Sequence, residues 1–164
     1  MKTIYCAGGC FWGTQRFFDQ FDGVITTTVG YANGSTEHPT YQDVCRGSGH
    51  AETVKIEYDE GRLSTRELLR YYFLSVDPLS VNRQGHDTGV QYRTGVYYDD
   101  EGLLPDIRSA FAEEEQAVGQ PIRVELKPLE AFYPAEEYHQ KYLEKNPGGY
   151  CHLPQSLLNL KEEK

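Results

Sequence analysis

Apolar and polar residues alternate along this chain in short blocks, and the blocks change period as they go. Thr3 to Ala7 has the length and character of a strand, and Gly8-Gly9 breaks it. Cys10 to Phe21 then reads as a helix, with Phe17, Phe18 and Phe21 supplying a core-facing stripe. Gly23 ends that helix, and Val24 to Tyr31 is a β-branched run suited to a strand. Ala32 to Gly49 is rich in turn residues and is expected as a long loop. From Glu52 to Tyr58, the positions Val54, Ile56 and Tyr58 alternate with polar neighbours, as in a half-buried strand. Ser64-Thr65-Arg66-Glu67 has the spacing of a capping box and predicts a helix to about Val76. Pro78 to Gly89 is a second polar loop. Tyr92 to Tyr98 reads as a strand, Leu103 to Val118 as a helix, Ile122 to Lys127 as a strand and Pro134 to Lys145 as a shorter helix. Asn146-Pro147-Gly148-Gly149 opens an irregular end. Residues 146–164 are expected as a flexible tail, frayed from Lys161 to Lys164.

Strands followed by helices in this order predict an α+β fold: a layered sandwich with helices packed on a mixed, mostly antiparallel sheet, plus extensive coil. No repeat or linker divides the 164 residues, so one catalytic domain is expected over 1–164. A folded chain of this size buries roughly 70% of the surface it exposes when unfolded, enough for a core without staples. Acidic residues number 25 against 16 basic ones, a net charge of −9. That balance excludes an extended nucleic-acid footprint. No apolar run approaches the ~20 residues of a membrane span. Nor does a signal-like stretch follow Met1. A cytoplasmic, reducing setting is therefore expected, and a monomer. In that setting Cys6, Cys10, Cys45 and Cys151 are free or catalytic rather than a disulfide framework.

The most informative segment is Gly8-Gly9-Cys10-Phe11-Trp12-Gly13. Two glycines allow a sharp turn from strand to helix, leaving Cys10 in the first turn near unpaired N–H groups and the positive end of the helix dipole. That position is expected to favour thiolate, the reactive form of cysteine. Trp12, the single tryptophan, is then free to line a pocket beside the sulfur. The plain alternative is a Cys10 buried as a small apolar side chain. Further polar groups gather in Ser48-Gly49-His50-Ala51-Glu52, at Tyr41, and in Gln84-Gly85-His86-Asp87-Thr88-Gly89-Val90-Gln91-Tyr92-Arg93. The cysteine and histidine spacings match no zinc-site pattern, and neither a metal nor an organic cofactor is expected.

Gly9-Cys10-Phe11-Trp12-Gly13, Gly49-His50-Ala51-Glu52 and Gln84 to Arg93, in this order and over nearly the whole chain, resemble peptide methionine sulfoxide reductase of the A type. The resemblance implies an α+β fold with a ferredoxin-like core wrapped in coil, and thiol-dependent reduction of methionine S-sulfoxide, in proteins or free. It implies Cys10 as nucleophile and Phe11 with Trp12 as the aromatic pair holding the substrate methyl group. Glu52 is then the acid, Tyr41 and Tyr92 the hydrogen-bonding phenols, and Asp87 the supporting aspartate. Cys151 becomes the recycling cysteine, with thioredoxin as reductant. Three departures stand out. Ser48 replaces the usual threonine, Asn33 interrupts a Gly-Tyr-x-Gly-Gly turn, and no cysteine follows Cys151, which excludes a longer relay. Cys6 and Cys45 take no role from the resemblance.

The chemistry asks for these residue types. A sulfoxide oxygen leaves only when protonated, so an attacking sulfur and a proton donor must meet. Glu52 can donate near pH 7 only if an apolar surround raises its pKa from about 4.3. The oxidised Cys10, a sulfenic acid, condenses with a nearby thiol. From residues alone, two other readings stay open: a peroxidase using the same two cysteines, and a binding module for oxidised proteins in which Cys10 is merely packed.

Overall fold

The computed structural model describes residues 1–160; Lys161 to Lys164, expected to fray, lie outside the described residues. In chain order the elements are β1 (Lys2–Ala7), α1 (Phe11–Asp19), β2 (Val24–Ala32), α2 (Tyr41–Cys45), β3 (Ala51–Tyr58) and α3 (Thr65–Ser75). A small hairpin follows, β4 (Arg83–Gln84) with β5 (Asp87–Thr88), and then a 3-10 turn at Val90–Tyr92. The rest comprises β6 (Gly95–Tyr98), α4 (Leu104–Val118), β7 (Glu125–Pro128), β8 (Phe132–Pro134), α5 (Tyr142–Lys145) and α6 (Gln155–Leu158).

The main sheet has the strand order β7-β6-β1-β3-β2-β8. Every neighbouring pair is antiparallel except β6 with β7. Its inner strands, in the order β6-β1-β3-β2 with α1 and α3 as crossovers, form the ferredoxin-like core expected. The period of two sorts the side chains by face. Ile4 and Cys6 of β1, Val29 and Tyr31 of β2, Val54, Ile56 and Tyr58 of β3, and Val96 of β6 join the large core, together with Phe17, Phe18, Leu68, Leu69, Tyr72 and Ile107 from the helices. The intervening Tyr5, Ala7, Ala32, Ala51 and Tyr97 form a smaller cluster on the other face, closed by Leu129 and Phe132.

Several expected boundaries shift. The loop from Ala32 to Gly49 contains α2, because Thr40 and Asp43 form their own capping box: the Asp43 N–H donates to Thr40 Oγ1 at 3.2 Å and the Thr40 N–H to Asp43 Oδ2 at 2.9 Å. Tyr92 lies in a 3-10 turn rather than in the strand, which begins at Gly95. The helix expected over Pro134 to Lys145 is broken. Its first residue ends β8, a 3-10 turn spans Glu137–His139, and Lys141 adopts a left-handed φ of 55° before α5. The cause is tertiary. The Gln140 amide accepts the Val29 N–H at 3.0 Å and donates to the Val29 carbonyl at 2.9 Å, pinning the segment to the edge of β2. Gln15 takes the Lys141 N–H at 2.8 Å. Beyond Asn146 the chain lies against α1: Arg16 donates to the Leu158 carbonyl at 3.2 Å and Gln20 to that of Leu157 at 2.8 Å.

Candidate active site

β1 and β3 run antiparallel with Ala7 opposite Thr53. The turn that leaves β1 through Gly8 and Gly9 therefore passes over the start of β3, where Glu52 stands on the helix-covered face. Gly9 has φ 83°, a conformation that costs glycine little. Cys10 follows as the extended N-cap of α1, only 8% exposed. The Phe11 N–H, free at this helix start, donates to Glu52 Oε1 at 3.2 Å. Glu52 is 1% exposed, and its Oε2 has no hydrogen-bond partner among the described residues. Burial raises its pKa to about 8, against the pull of the Phe11 N–H, and Asp87 adds to the rise. A carboxyl that stays protonated at neutral pH, with one oxygen anchored and one unpartnered, suits a general acid.

The phenols stand on α2 and on the 3-10 turn, both held by tertiary bonds. Tyr31, opposite Glu52 on β2, donates to Glu136 Oε1 at 2.7 Å, and Glu136 Oε2 accepts the Tyr41 N–H at 3.0 Å. Glu136 thus ties the first residue of α2 to the sheet edge. The Tyr92 carbonyl accepts the Gly9 N–H at 3.3 Å, which holds the 3-10 turn against the Cys10 turn. Burial, and next to it the field of Glu52, keep both the Tyr41 and Tyr92 hydroxyls protonated, so both remain donors. Asp87 accepts the Tyr150 hydroxyl at 3.1 Å.

Phe11 is buried, with its ring 5.7 Å from Tyr31 and 5.3 Å from His139. Trp12 is half-buried and fixed on two sides. Its Nε1 donates to His139 Nδ1 at 2.9 Å, and its ring stacks on Tyr142 at 3.7 Å and 10°. His139 is 1% exposed and surrounded by Phe11, Trp12, Tyr41 and Tyr138. Burial keeps it neutral. A cavity of about 240 Å³ opens on the α5 side of Trp12, between Arg16, Asp19 and Tyr142. Cys151 Sγ lies over Gly13, on the first turns of α1, where a Cβ on that glycine would approach it to 3.0 Å.

Cys10, Phe11, Trp12, Tyr41, Glu52, Asp87, Tyr92 and Cys151 thus meet at one end of the sheet. Cys45 is exposed, with its sulfur 3.6 Å from Gln91 Nε2, and Cys6 is sealed in the core. His86 is exposed, and His50 is buried beside Ser48 with no part in the cluster. One electrostatic expectation fails. The Cys10 thiol is raised, not lowered: burial is the largest cause and the field of Glu52 the next, and together they outweigh the Trp12 N–H of the first turn. In the resting site both the thiol and the Glu52 carboxyl hold their protons. Sequence reasoning missed Glu136, His139 and Tyr142. They recur at a spacing of three, but inside a segment expected as a helix.

A family model described as peptide methionine sulfoxide reductase matches residues 2–164. The chain is 56% identical over 159 residues to peptide methionine sulfoxide reductase MsrA of Clostridium acetobutylicum, a match covering 96% of this chain and 98% of that one. Among solved structures, Mxr1 from Saccharomyces cerevisiae in reduced form superposes with a TM-score of 0.86 at 37% identity, over 92% of this chain and 88% of that one. Mxr1 in complex with Trx2 superposes at 0.62 with 26% identity, over 86% and 84% of the two chains. With a buried carboxylic acid, a cysteine and two phenols at the end of a ferredoxin-like sheet, this chain belongs to the peptide methionine sulfoxide reductase family and reduces methionine sulfoxide.

Proposed function

We propose that Cys10 attacks the sulfur of a methionine S-sulfoxide, in proteins or free, while Glu52 protonates the sulfoxide oxygen. Tyr41 and Tyr92 donate hydrogen bonds to that oxygen as its charge grows. Phe11 and Trp12 hold the methyl group, and Asp87 supports the site through Tyr150. The carboxylate left on Glu52 receives the thiol proton of Cys10, so the raised thiol ionises only as the sulfoxide is consumed. The oxygen ends on Cys10 as a sulfenic acid, and methionine leaves two electrons richer. Cys151 then condenses with Cys10, forming a disulfide and water. A thioredoxin reduces that disulfide, in keeping with the crystallised complex of the relative Mxr1 with Trx2.

The observation that carries this reading is Glu52: buried, protonated at neutral pH, tied through one oxygen to the N–H next to Cys10 and unpartnered at the other. The four free cysteines fit a reducing, cytoplasmic setting. No helix among the described residues is long and apolar enough to cross a membrane. The test is an epimer-resolved assay with dabsyl-methionine sulfoxide and a dithiol. Methionine is expected from the S epimer and not from the R epimer. Turnover of neither, or peroxide consumption far faster than sulfoxide reduction, overturns the reading.

A further inference from the structure

His152, the residue after Cys151, sits in the floor of the site and has no part in the reaction as described so far. A Cβ on Gly9 would lie 2.8 Å from His152 Nε2, and a Cβ on Gly13 would lie 2.9 Å from His152 Nδ1 and 3.0 Å from Cys151 Sγ. Gly13 is helical and needs no unusual φ. Its missing side chain is what lets the imidazole and the sulfur approach the same point. The two glycines that bracket Cys10-Phe11-Trp12 thus seat His152 against the turn that carries Cys10 and next to the Cys151 sulfur.

Both ring nitrogens of His152 are shut off from solvent and lack a hydrogen-bond partner among the described residues. The field of the Asp87 carboxylate and, next to it, the Gly8 backbone act on the ring. Both favour the charged imidazole, but enclosure outweighs them and holds the ring neutral. The Gln84 side chain closes the Gly9 side, and Tyr150 is occupied with Asp87. Burial raises the Cys151 thiol, opposed by the Leu153 N–H and the Arg16 guanidinium. A neutral thiol is a poor nucleophile, since the thiolate is the species that attacks. Hydroxide is also a poor leaving group. The recycling step therefore needs a group that removes one proton and delivers one.

We propose that His152 carries that proton: it takes it from Cys151 as the sulfur attacks Cys10, and passes it to the departing sulfenic oxygen. The S–O bond of Cys10 breaks and the Cys10–Cys151 bond forms. The oxygen leaves as water, and the oxidising equivalent is the one methionine sulfoxide has already supplied. This role rests on the assignment of Cys10 and Cys151 above and adds the acid–base partner of their exchange.

The test mixes the reduced protein with one equivalent of dabsyl-methionine S-sulfoxide, without reductant. Methionine release and loss of free thiols are timed separately. In the unmodified protein two thiols disappear per methionine, the first with methionine release and the second as the disulfide forms, and the rate of the second loss falls as pH drops through the His152 pKa. In H152Q, methionine release and the loss of the first thiol keep their pace while the loss of the second thiol slows about 100-fold or more, the low end of what general acid–base catalysis supplies. The sulfenic acid then accumulates and reacts with dimedone, and the acid limb of the pH profile disappears. Added imidazole partly restores the rate in H152A, which shows chemistry rather than packing. Loss of the second thiol in H152Q at the unmodified rate, or equal slowing of both steps, overturns the role of His152 alone. Absence of a Cys10–Cys151 disulfide in the unmodified protein overturns the relay and His152 with it.

Discussion

At the start of α3, the Glu67 N–H donates to Ser64 Oγ at 3.1 Å and the Ser64 N–H donates to the Glu67 carboxylate at 3.3 Å. Four neighbouring residues close that helix end by themselves. At the start of α1, Cys10 makes no side-chain cap, and the Phe11 N–H reaches across to Glu52, 41 residues away. One helix start is satisfied locally and only adds stability. The other leaves its first N–H unpaired by its own turn, and a carboxyl from β3 is buried to complete it. Burying that carboxyl costs free energy, and the same burial keeps its proton in place. The difference teaches where function sits: at the helix end whose partners come from far along the chain.

The largest effect is expected from Cys10→Ser, which removes the nucleophile at the open helix start. Methionine formation should fall on the order of 10⁴-fold or more. Residual turnover near the unmodified level would return Cys10 to a packing role and make the two helix starts alike.

Glu52→Gln should lower kcat by about 10²–10⁴-fold while the Cys10 thiol still alkylates under denaturing conditions. Its effect on stability should have the opposite sign. The folded protein holds the Glu52 pKa at about 8, above its ordinary value of 4.5, so the native state favours the protonated acid. That preference contributes stability below the lower value and is lost as pH rises toward the upper one. The Gln variant should therefore be a few kcal/mol more stable in urea unfolding at pH 8, and equal to the unmodified protein near pH 4. By the same titration, unmodified kcat should decline above about pH 8, as Glu52 gives up its proton. A profile flat to pH 10 would remove Glu52 as the acid.

Tyr41→Phe and Tyr92→Phe should each cost roughly 3 kcal/mol of barrier, about 10²-fold in kcat, if each acts as an oxyanion-type donor. An effect confined to KM would place the phenols in binding only. The smallest change is expected at the closed helix start. Ser64→Ala should cost about 1 kcal/mol in urea unfolding and leave turnover as it is. A loss of activity there would couple the two ends of the sheet in a way the hydrogen bonds do not show.

What could be read from the sequence follows the same division. The capping box at Ser64, the alternation in β3 and the Gly8-Gly9 turn are contacts within a few residues, so composition and spacing reveal them. The Thr40-x-x-Asp43 box was equally local, and was hidden only by the turn-rich composition around it. The Pro134–Lys145 segment went the other way. Its local pattern suits a helix, but Gln140 and Gln15 pair it with β2 and α1 instead, and that pairing carries His139 and Tyr142 to Trp12.

By itself, then, the chain determined most of the strands and helices, their α+β layering and the residue types that the chemistry needs, because short-range sterics and the period of two operate on neighbours. Protonation was decided only in three dimensions. The helix start alone argues for a depressed Cys10 thiol, and the folded site raises it, because desolvation and the nearby carboxyl outweigh one backbone N–H. Glu52 is an ordinary carboxylate in the sequence and a neutral acid in the fold, because the energy of a charge depends on the medium that surrounds it, and no run of neighbouring residues sets that medium.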